Sequence, residues 1–305
     1  MSAVGPPSLA IQVVLYRSAF DEQRRLAEAI TACAVNARRA GVVDHVAVRY
    51  GDCSPAPCIT PDQLDALRSA LAAATADVTY SFFDANLGSA GGSNRLAAQS
   101  ETDLIWVLNP DTYPAPTALN ELLSALQPAD VGIVEARQVP IEHPKAYDPV
   151  TGDTAWACGF SLITKRAVFD EVGGFDDHFF PLYADDVDLS WRVRAAGFAV
   201  RHVPAAVVVH DKPIEVEGAV RWTAEAARSS HLARLWLFRK YGRRDLEDEF
   251  LARIDNGSDP VAADAATEFR RRVLAGDAPP VVDRADEVAE FVGRQYGPHR
   301  FEYQG

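Results

Sequence analysis

The sequence predicts an α/β fold built on a doubly wound, mostly parallel sheet, and three observations carry that prediction. Residues 9–83 alternate strand and helix patterns in the order β-α-β-α-β, which implies parallel strands joined by right-handed crossovers. The stretch DLIWVLNPDTYP, Asp103 to Pro114, holds an almost unbroken apolar run from Leu104 to Leu108. Such a run reads as a strand buried on both faces, as inside a parallel sheet. The chain has 305 residues, 48% of them hydrophobic, enough for one large domain or a domain with an appendage.

The elements follow in order. LAIQVVLY at 9–16 is the first strand. Residues 21–40 place Leu26, Ala29, Ile30, Cys33 and Ala34 at helical spacing, and Gly41 supplies a stop. VVDHVAVRY at 42–50 is the second strand, with a turn from Gly51 to Pro55. A helix over 62–75 turns Leu64, Leu67 and Leu71 inward, and 77–83 is the third strand. Asn86 to Asn94, NLGSAGGSN, reads as a glycine-rich loop leading into a helix over 93–100. Glycines let a backbone approach a ligand closely, and a helix N-terminus attracts anions. Its spacing and its place after the third strand differ from the dinucleotide fingerprint G-x-G-x-x-G. As structure alone it is a tight loop packing a helix on the sheet.

The apolar run at 104–108 is the fourth strand. It ends at Asn109-Pro110-Asp111 because proline removes a donor and fixes φ. Asp111 is thereby placed at the carboxyl end of a buried strand, where open α/β sheets bind ligands. Turn chemistry alone would make the same tripeptide a cap for a helix over 115–126. A short strand at 130–136 and an irregular, polar flap at 137–156 come next. ACGFSLIT at 157–164 is a strand, followed by a short helix over 165–172 that Gly173-Gly174 closes. A helix over 185–196 carries Asp185, Asp186 and Asp188 in its first turn, where the macrodipole favours negative charge. Asp188 and Arg192 are i,i+4 partners, a structural pair. One carboxylate suffices to cap a helix, so the others ask for a different role. A strand at 199–203 and the run AVVVH end in His210. Weighed alone, His210 is a core or loop histidine. A long Arg-rich helix over 217–241, with Trp222, Leu232, Leu235, Trp236 and Phe238 apolar, packs on the domain by default. A dimer seam or contact with an anionic membrane surface are its other uses. Beyond residue 243 the composition turns acidic and alanine-rich.

A net charge of -13 argues against nucleic acid as a partner, because phosphate backbones need a basic face. Cys33, Cys53, Cys58 and Cys158 show no zinc-finger spacing, so reduced thiols are expected. MSAVGPPSLA has no signal-peptide pattern, and no run approaches the ~18 apolar residues of a membrane span. The expected location is cytoplasmic, with peripheral attachment to the inner membrane face as an extension.

Taken together, NLGSAGGSN, LNPD at 108–111 and the block GFSLITKRAVFDEVGGFDDHFFPLYADDVDLSWRVRAAGFAVRHVPAAVVVH at 159–210 resemble inverting family 2 glycosyltransferases of the GT-A type. The rhamnosyltransferase and galactofuranosyltransferase branch is the most similar. The likeness covers roughly residues 9–240 and divides the chain into a nucleotide-sugar-binding domain, 1–242, and a small helical C-terminal appendage, 243–305. It implies a nucleoside-diphosphate sugar donor, dTDP- or UDP-linked, a glycan or lipid-linked acceptor, and a place in cell-wall or polysaccharide synthesis. Asn109 and Asp111 stand at the family's Asp-x-Asp motif. Asp111 would bind a divalent cation, Mn²⁺ or Mg²⁺, and through it the diphosphate, with His210 completing the metal site. Asp186, with Asp185 beside it, would be the general base. Asp52 would face the nucleobase, and Asn86, Gly88, Gly92 and Asn94 the nucleotide and ribose.

Three departures qualify the likeness: Asn109 removes one charge from the metal site, Asp52 sits in R-Y-G-D-C-S, and Tyr16-Arg17 replaces the usual end of strand one. A sugar-nucleotide- or glycan-binding homologue without turnover is the alternative that Asn109 keeps open. Nicotinamide, methyl-donor and nucleotidylyltransferase readings need a glycine signature after strand one, and Tyr16-Arg17-Ser18 supplies none.

Overall fold

The structure is a computed structural model and describes residues 5–212, 223–293 and 295–301. Strands β1 (Leu9–Leu15), β2 (Val46–Asp52), β3 (Val78–Phe82) and β4 (Leu104–Leu108) alternate with helices α1 (Phe20–Arg39), α2 (Pro61–Leu71) and α3 (Gly88–Ala97). Then come β5 (Thr112–Pro114), α4 (Ala118–Leu126), β6 (Val131–Val139), β7 (Ser161–Lys165), α5 (Arg166–Glu171), α6 (Asp185–Ala195) and β8 (Ala199–His210). Helices α7 (Ala224–Lys240), α8 (Arg244–Asp255), α9 (Pro260–Leu274) and α10 (Ala285–Val288) complete the order.

The eight strands among the described residues form one sheet in the order β3-β2-β1-β4-β7-β6-β8-β5. Pairs β3–β2, β2–β1, β1–β4 and β6–β8 are parallel, while β7 and β5 run antiparallel to their neighbours. The order reverses beside β1, where the chain continues outward to β2 on one side and β4 on the other. That reversal opens a crevice at the carboxyl ends of β1 and β4. β4 is buried throughout, as its unbroken apolar run requires. Trp106 is fully buried, and its indole N–H donates to Ser161 Oγ at 3.0 Å across the β4–β7 seam.

Several boundaries differ from expectation, each for a tertiary reason. β2 begins at Val46 and runs through Gly51 and Asp52, because both pair with β1 and β3. Sheet pairing overrides the glycine turn signal there. The expected glycine loop is largely helical: α3 starts at Gly88, whose φ is +69°. A Cβ on Gly92 would lie 2.6 Å from Val14 Cγ1 and 3.3 Å from Cys53 Sγ. The small residues therefore let α3 press against the ends of β1 and β2, rather than bend a loop. Asn109-Pro110-Asp111 leads into β5 and does not cap α4, whose N-cap is Thr117. The two expected pieces at 199–203 and 206–210 are one strand, β8. The polar stretch at 140–160 carries no named helix or strand, close to the flap expected at 137–156.

Thr223 Oγ1 caps α7 by accepting from Ala226 N at 3.1 Å, and Trp222 lies outside the described residues. Trp236 packs on Phe269 of α9 with ring centroids 4.5 Å apart. Phe250, Phe269, Ala285 and Val288 belong to the same buried cluster as the sheet residues. All four cysteines are free thiols. No helix among the described residues is long and apolar enough to cross a membrane.

Candidate active site

Asp111 and His210 meet because of how β5 returns along the sheet. Asn109 N donates to Phe160 O at 2.9 Å, and Thr112 Oγ1 donates back to Asn109 O at 2.6 Å. This tight turn sends β5 antiparallel to β8, with Thr112 opposite His210. His210 Nε2 then lies 3.1 Å from Asp111 Oδ1, the imidazole buried and the carboxylate partly open. The Phe160 ring stacks on the imidazole, centroids 5.5 Å apart and planes within 13°. An imidazole nitrogen and a carboxylate oxygen side by side are donor types that a divalent cation could take in place of their mutual contact. Among the described residues no third His, Cys, Asp or Glu joins them into a metal-holding group. Further ligands would come from the substrate diphosphate or water.

The acid pair is presented by a strained turn. Tyr183 and Ala184 have φ of +67° and +56°, immediately before α6. Left-handed backbone at a non-glycine residue costs about 1–3 kcal/mol and persists where its surroundings over-determine it. Here Asp186 is held from both sides: Gly159 N–H donates to Oδ2 at 2.8 Å and Val187 N–H to Oδ1 at 2.8 Å. Ser190 Oγ donates to Asp186 O at 2.7 Å and accepts from Ala157 N at 2.9 Å, tying the start of α6 to residues 157–159. Asp185 Oδ2 accepts from Ser89 Oγ at 2.8 Å, which links the pair to α3.

Burial raises the pKa of both carboxyls. In Asp186 the two backbone N–H groups partly counter it, since they favour the charged form. In Asp185 burial and then the Asp186 charge push the pKa to about 7. Burial and the closeness of the two carboxyls thus hold the pair back from full ionisation. Asp188 behaves as expected of a structural acid. It is fully buried, pairs with Arg192 at 2.8 Å and Lys240 at 2.8 Å, and accepts from Tyr241 OH at 3.2 Å.

Two adjacent residues join these halves. Gly159 binds Asp186, while Phe160 stacks on His210 and accepts from Asn109. Asp111, Asp186 and His210, drawn from separate segments, therefore converge on one short stretch of backbone.

The other predicted residues divide. Asn86 is exposed, and its Oδ1 accepts from Gly88 N at 3.3 Å, ordering the entry to α3. A Cβ on Gly88 would fall 2.0 Å from Pro181 O, so this glycine admits the Asp185 turn to α3. Gly92 serves helix–sheet packing, as above. Asn94 is occupied: Nδ2 donates to Phe175 O at 2.8 Å and Oδ1 accepts from Phe175 N at 2.9 Å. It holds the Gly174-Phe175 turn. Asp52 is completely buried, accepting from Ser54 N at 2.9 Å, Cys58 N at 2.8 Å and Tyr80 OH at 2.5 Å. Burial pushes this carboxyl up, but those donors outweigh it and hold its pKa below the usual value. A nucleobase would reach Asp52 only by displacing one of them. Sequence reasoning missed Ser89, the Gly159 N–H and the buried Glu135. Glu135 alone left a trace, as the single acid in the apolar run VGIVEA.

No family model matches the chain. It is 40% identical over 65 residues to an N-acetylglucosaminyl-diphospho-decaprenol L-rhamnosyltransferase of Mycobacterium tuberculosis, 21% of each protein. It is 26% identical over 159 residues to the pre-mycofactocin glycosyltransferase of the same species, 46% of this chain and 33% of that one. The matches thus span between a fifth and a third of these relatives' lengths. Among solved structures, the mannosyltransferase PcManGT of Pyrobaculum calidifontis, in complex with GDP-Man and Mn²⁺, superposes with a TM-score of 0.54. That likeness covers 92% of this chain and 83% of the other at 16% identity. GalNAc-T7 with UDP, GalNAc and Mn²⁺ gives a TM-score of 0.59, covering 90% and 56% at 11% identity. The chain has the GT-A glycosyltransferase fold. In this GT-A chain β7 and β5 run antiparallel to their neighbours, and the candidate site includes the turn where β4 gives way to β5. The likeness expected from the motifs is borne out in the names of the relatives and in the fold.

Proposed function

We propose that this GT-A chain is an inverting glycosyltransferase. It would move a sugar from a nucleoside-diphosphate donor, dTDP- or UDP-linked, to a hydroxyl of a glycan or lipid-linked acceptor. The observation that carries the reading is the convergence of Asp111, His210 and Asp186 on Gly159 and Phe160. The relatives named for sugar transfer support it. Asp186, its carboxylate held by the Gly159 and Val187 N–H groups, accepts the proton of the acceptor hydroxyl as that oxygen displaces the diphosphate in line. General base catalysis of this kind is worth about 10²–10⁴-fold. Asp185, its pKa raised to about 7 by burial and then by the Asp186 charge, limits the charge the pair carries near neutral pH. Asp111 and His210 would hold a divalent cation, which when bound supplies charge neutralisation for the departing diphosphate.

The test is Asp186→Asn. Donor affinity should stay within about twofold of the parent, while turnover falls by about 10²-fold or more. Turnover that survives the change removes Asp186 as the base.

A further inference from the structure

Behind Gly159 lies a buried charged cluster that the transfer reaction does not use directly. Glu135 sits in β6 with its side chain 2% exposed. Its Oε1 is 2.5 Å from Lys145 Nζ and 2.8 Å from His202 Nδ1. Its Oε2 accepts from Cys158 N. Burial pushes the Glu135 carboxyl up, but Lys145, then His202 and Cys158 N, outweigh it and hold it below the usual value. Lys145 also donates to Trp156 O and lies 4.2 Å from the centre of the Trp156 ring. His202 Nε2 lies 3.1 Å from Glu142 Oε1, and Glu142 Oε2 pairs with Arg300 Nη2 at 2.7 Å.

Burying a Glu–Lys pair is expensive, and apolar residues of the same volume often give equal or greater stability. The cluster therefore asks for a purpose other than holding the core. Its aim supplies one. Cys158 N–H is gripped by Glu135, and the next amide, Gly159 N–H, points at Asp186 Oδ2. Only the φ and ψ of Cys158 lie between these two peptide planes, so holding the first amide narrows the directions open to the second. The titratable groups that act on Asp186 include Asp185, Lys145, Glu135 and the buried Cys158 thiol.

We propose that Glu135 is a positioning residue. Clamped by Lys145 and His202, it locks the Cys158–Gly159 backbone so that the Gly159 amide aims and ionises the Asp186 carboxylate. The inference rests on the reading of Asp186 as the base. Because Glu135→Leu alone would strand a buried ammonium, the test uses two double variants, Glu135→Leu/Lys145→Met and Glu135→Gln/Lys145→Met. Both remove the charge pair at nearly constant volume, but only glutamine keeps an oxygen that can accept from Cys158 N–H.

In the leucine variant kcat should fall about tenfold or more with donor KM unchanged, because a misaimed base loses the reacting geometry. The acid limb of the pH profile should move up by roughly half a pH unit or more, since a lost N–H donor disfavours the carboxylate. Exchange of the Gly159 amide, read by NMR on glycine-labelled protein, should speed up. The glutamine variant should recover kcat, the acid limb and the slow exchange. Leucine-variant kinetics equal to the parent's, in a protein that Asp186→Asn inactivates, overturn the proposal and leave the function reading intact. If Asp186→Asn has no effect, the function reading fails separately. The exchange measurement then decides alone, and an unchanged Gly159 rate in the leucine variant overturns the tether.

Discussion

Replacing Asp185 by asparagine should stabilise the protein, and only above acidic pH. The carboxyl rises from 3.8 to about 7, through burial first and the Asp186 charge second. A group whose folded pKa is raised costs nothing below its unfolded value. It costs progressively more as pH climbs toward the folded pKa, and a constant amount beyond it. A shift of about three units corresponds to a ceiling of ~4 kcal/mol at 1.36 kcal/mol per unit. Partial exposure and the shared titration with Asp186 reduce that to about 1–2 kcal/mol. Asparagine keeps an oxygen for Ser89 Oγ, so the hydrogen bond survives. It loses the charge at the start of α6, a penalty of about 0.3–1 kcal/mol. The net gain is about 1 kcal/mol at pH 8, or about 2–4 °C in Tm for a domain of this size. The assay is a set of thermal melts of parent and variant from pH 4.5 to 8.5. The Tm difference should be near zero or slightly negative at pH 4.5, rise through pH 5–7 and level off above. A difference that stays flat, or falls with pH, refutes the assignment of a raised pKa to Asp185.

Asn94→Ala strips two partners from Phe175, so stability should drop by about 1–3 kcal/mol in urea melts; a change below 0.5 would show that the Gly174-Phe175 turn does not depend on it. Asn109→Asp restores a charge beside Asp111, so the Mn²⁺ concentration giving half-maximal turnover should fall by about tenfold, and an unchanged value would place Asn109 outside the ion's reach. In the proposed transfer reaction, chelation by EDTA should suppress parent turnover and Mn²⁺ should restore it, whereas full activity in EDTA would remove the cation from the mechanism.

The run Leu104–Leu108 was readable as a buried strand because a double-sided apolar environment leaves no room for alternation. The stop at Asn109-Pro110-Asp111 was readable because proline chemistry is local. Asp188–Arg192 was readable for the same reason, since i,i+4 spacing on a helix puts partners together without help from the rest of the chain. The glycines at 88–92 form the start of a helix and not the expected loop, because their smallness serves contacts with Val14, Cys53 and Pro181 that lie far away in sequence. Asn94 and Asp52 kept the residue types of ligand-binding positions but were claimed by nearby or distant backbone and by Tyr80, which no spacing announces.

By itself, then, the sequence determined the alternating α/β architecture, the strand that ends at Asp111 and the acidic start of α6, because periodicity, proline and capping act within a few residues. Only the tertiary structure decided that Asp186 receives the Gly159 amide, that burial raises the pKa of both Asp185 and Asp186, and that Glu135 stands behind the Cys158–Gly159 backbone. Those outcomes depend on burial and on partners 23 to 96 positions apart in the chain, and the field at a carboxylate is set by whatever the fold packs around it.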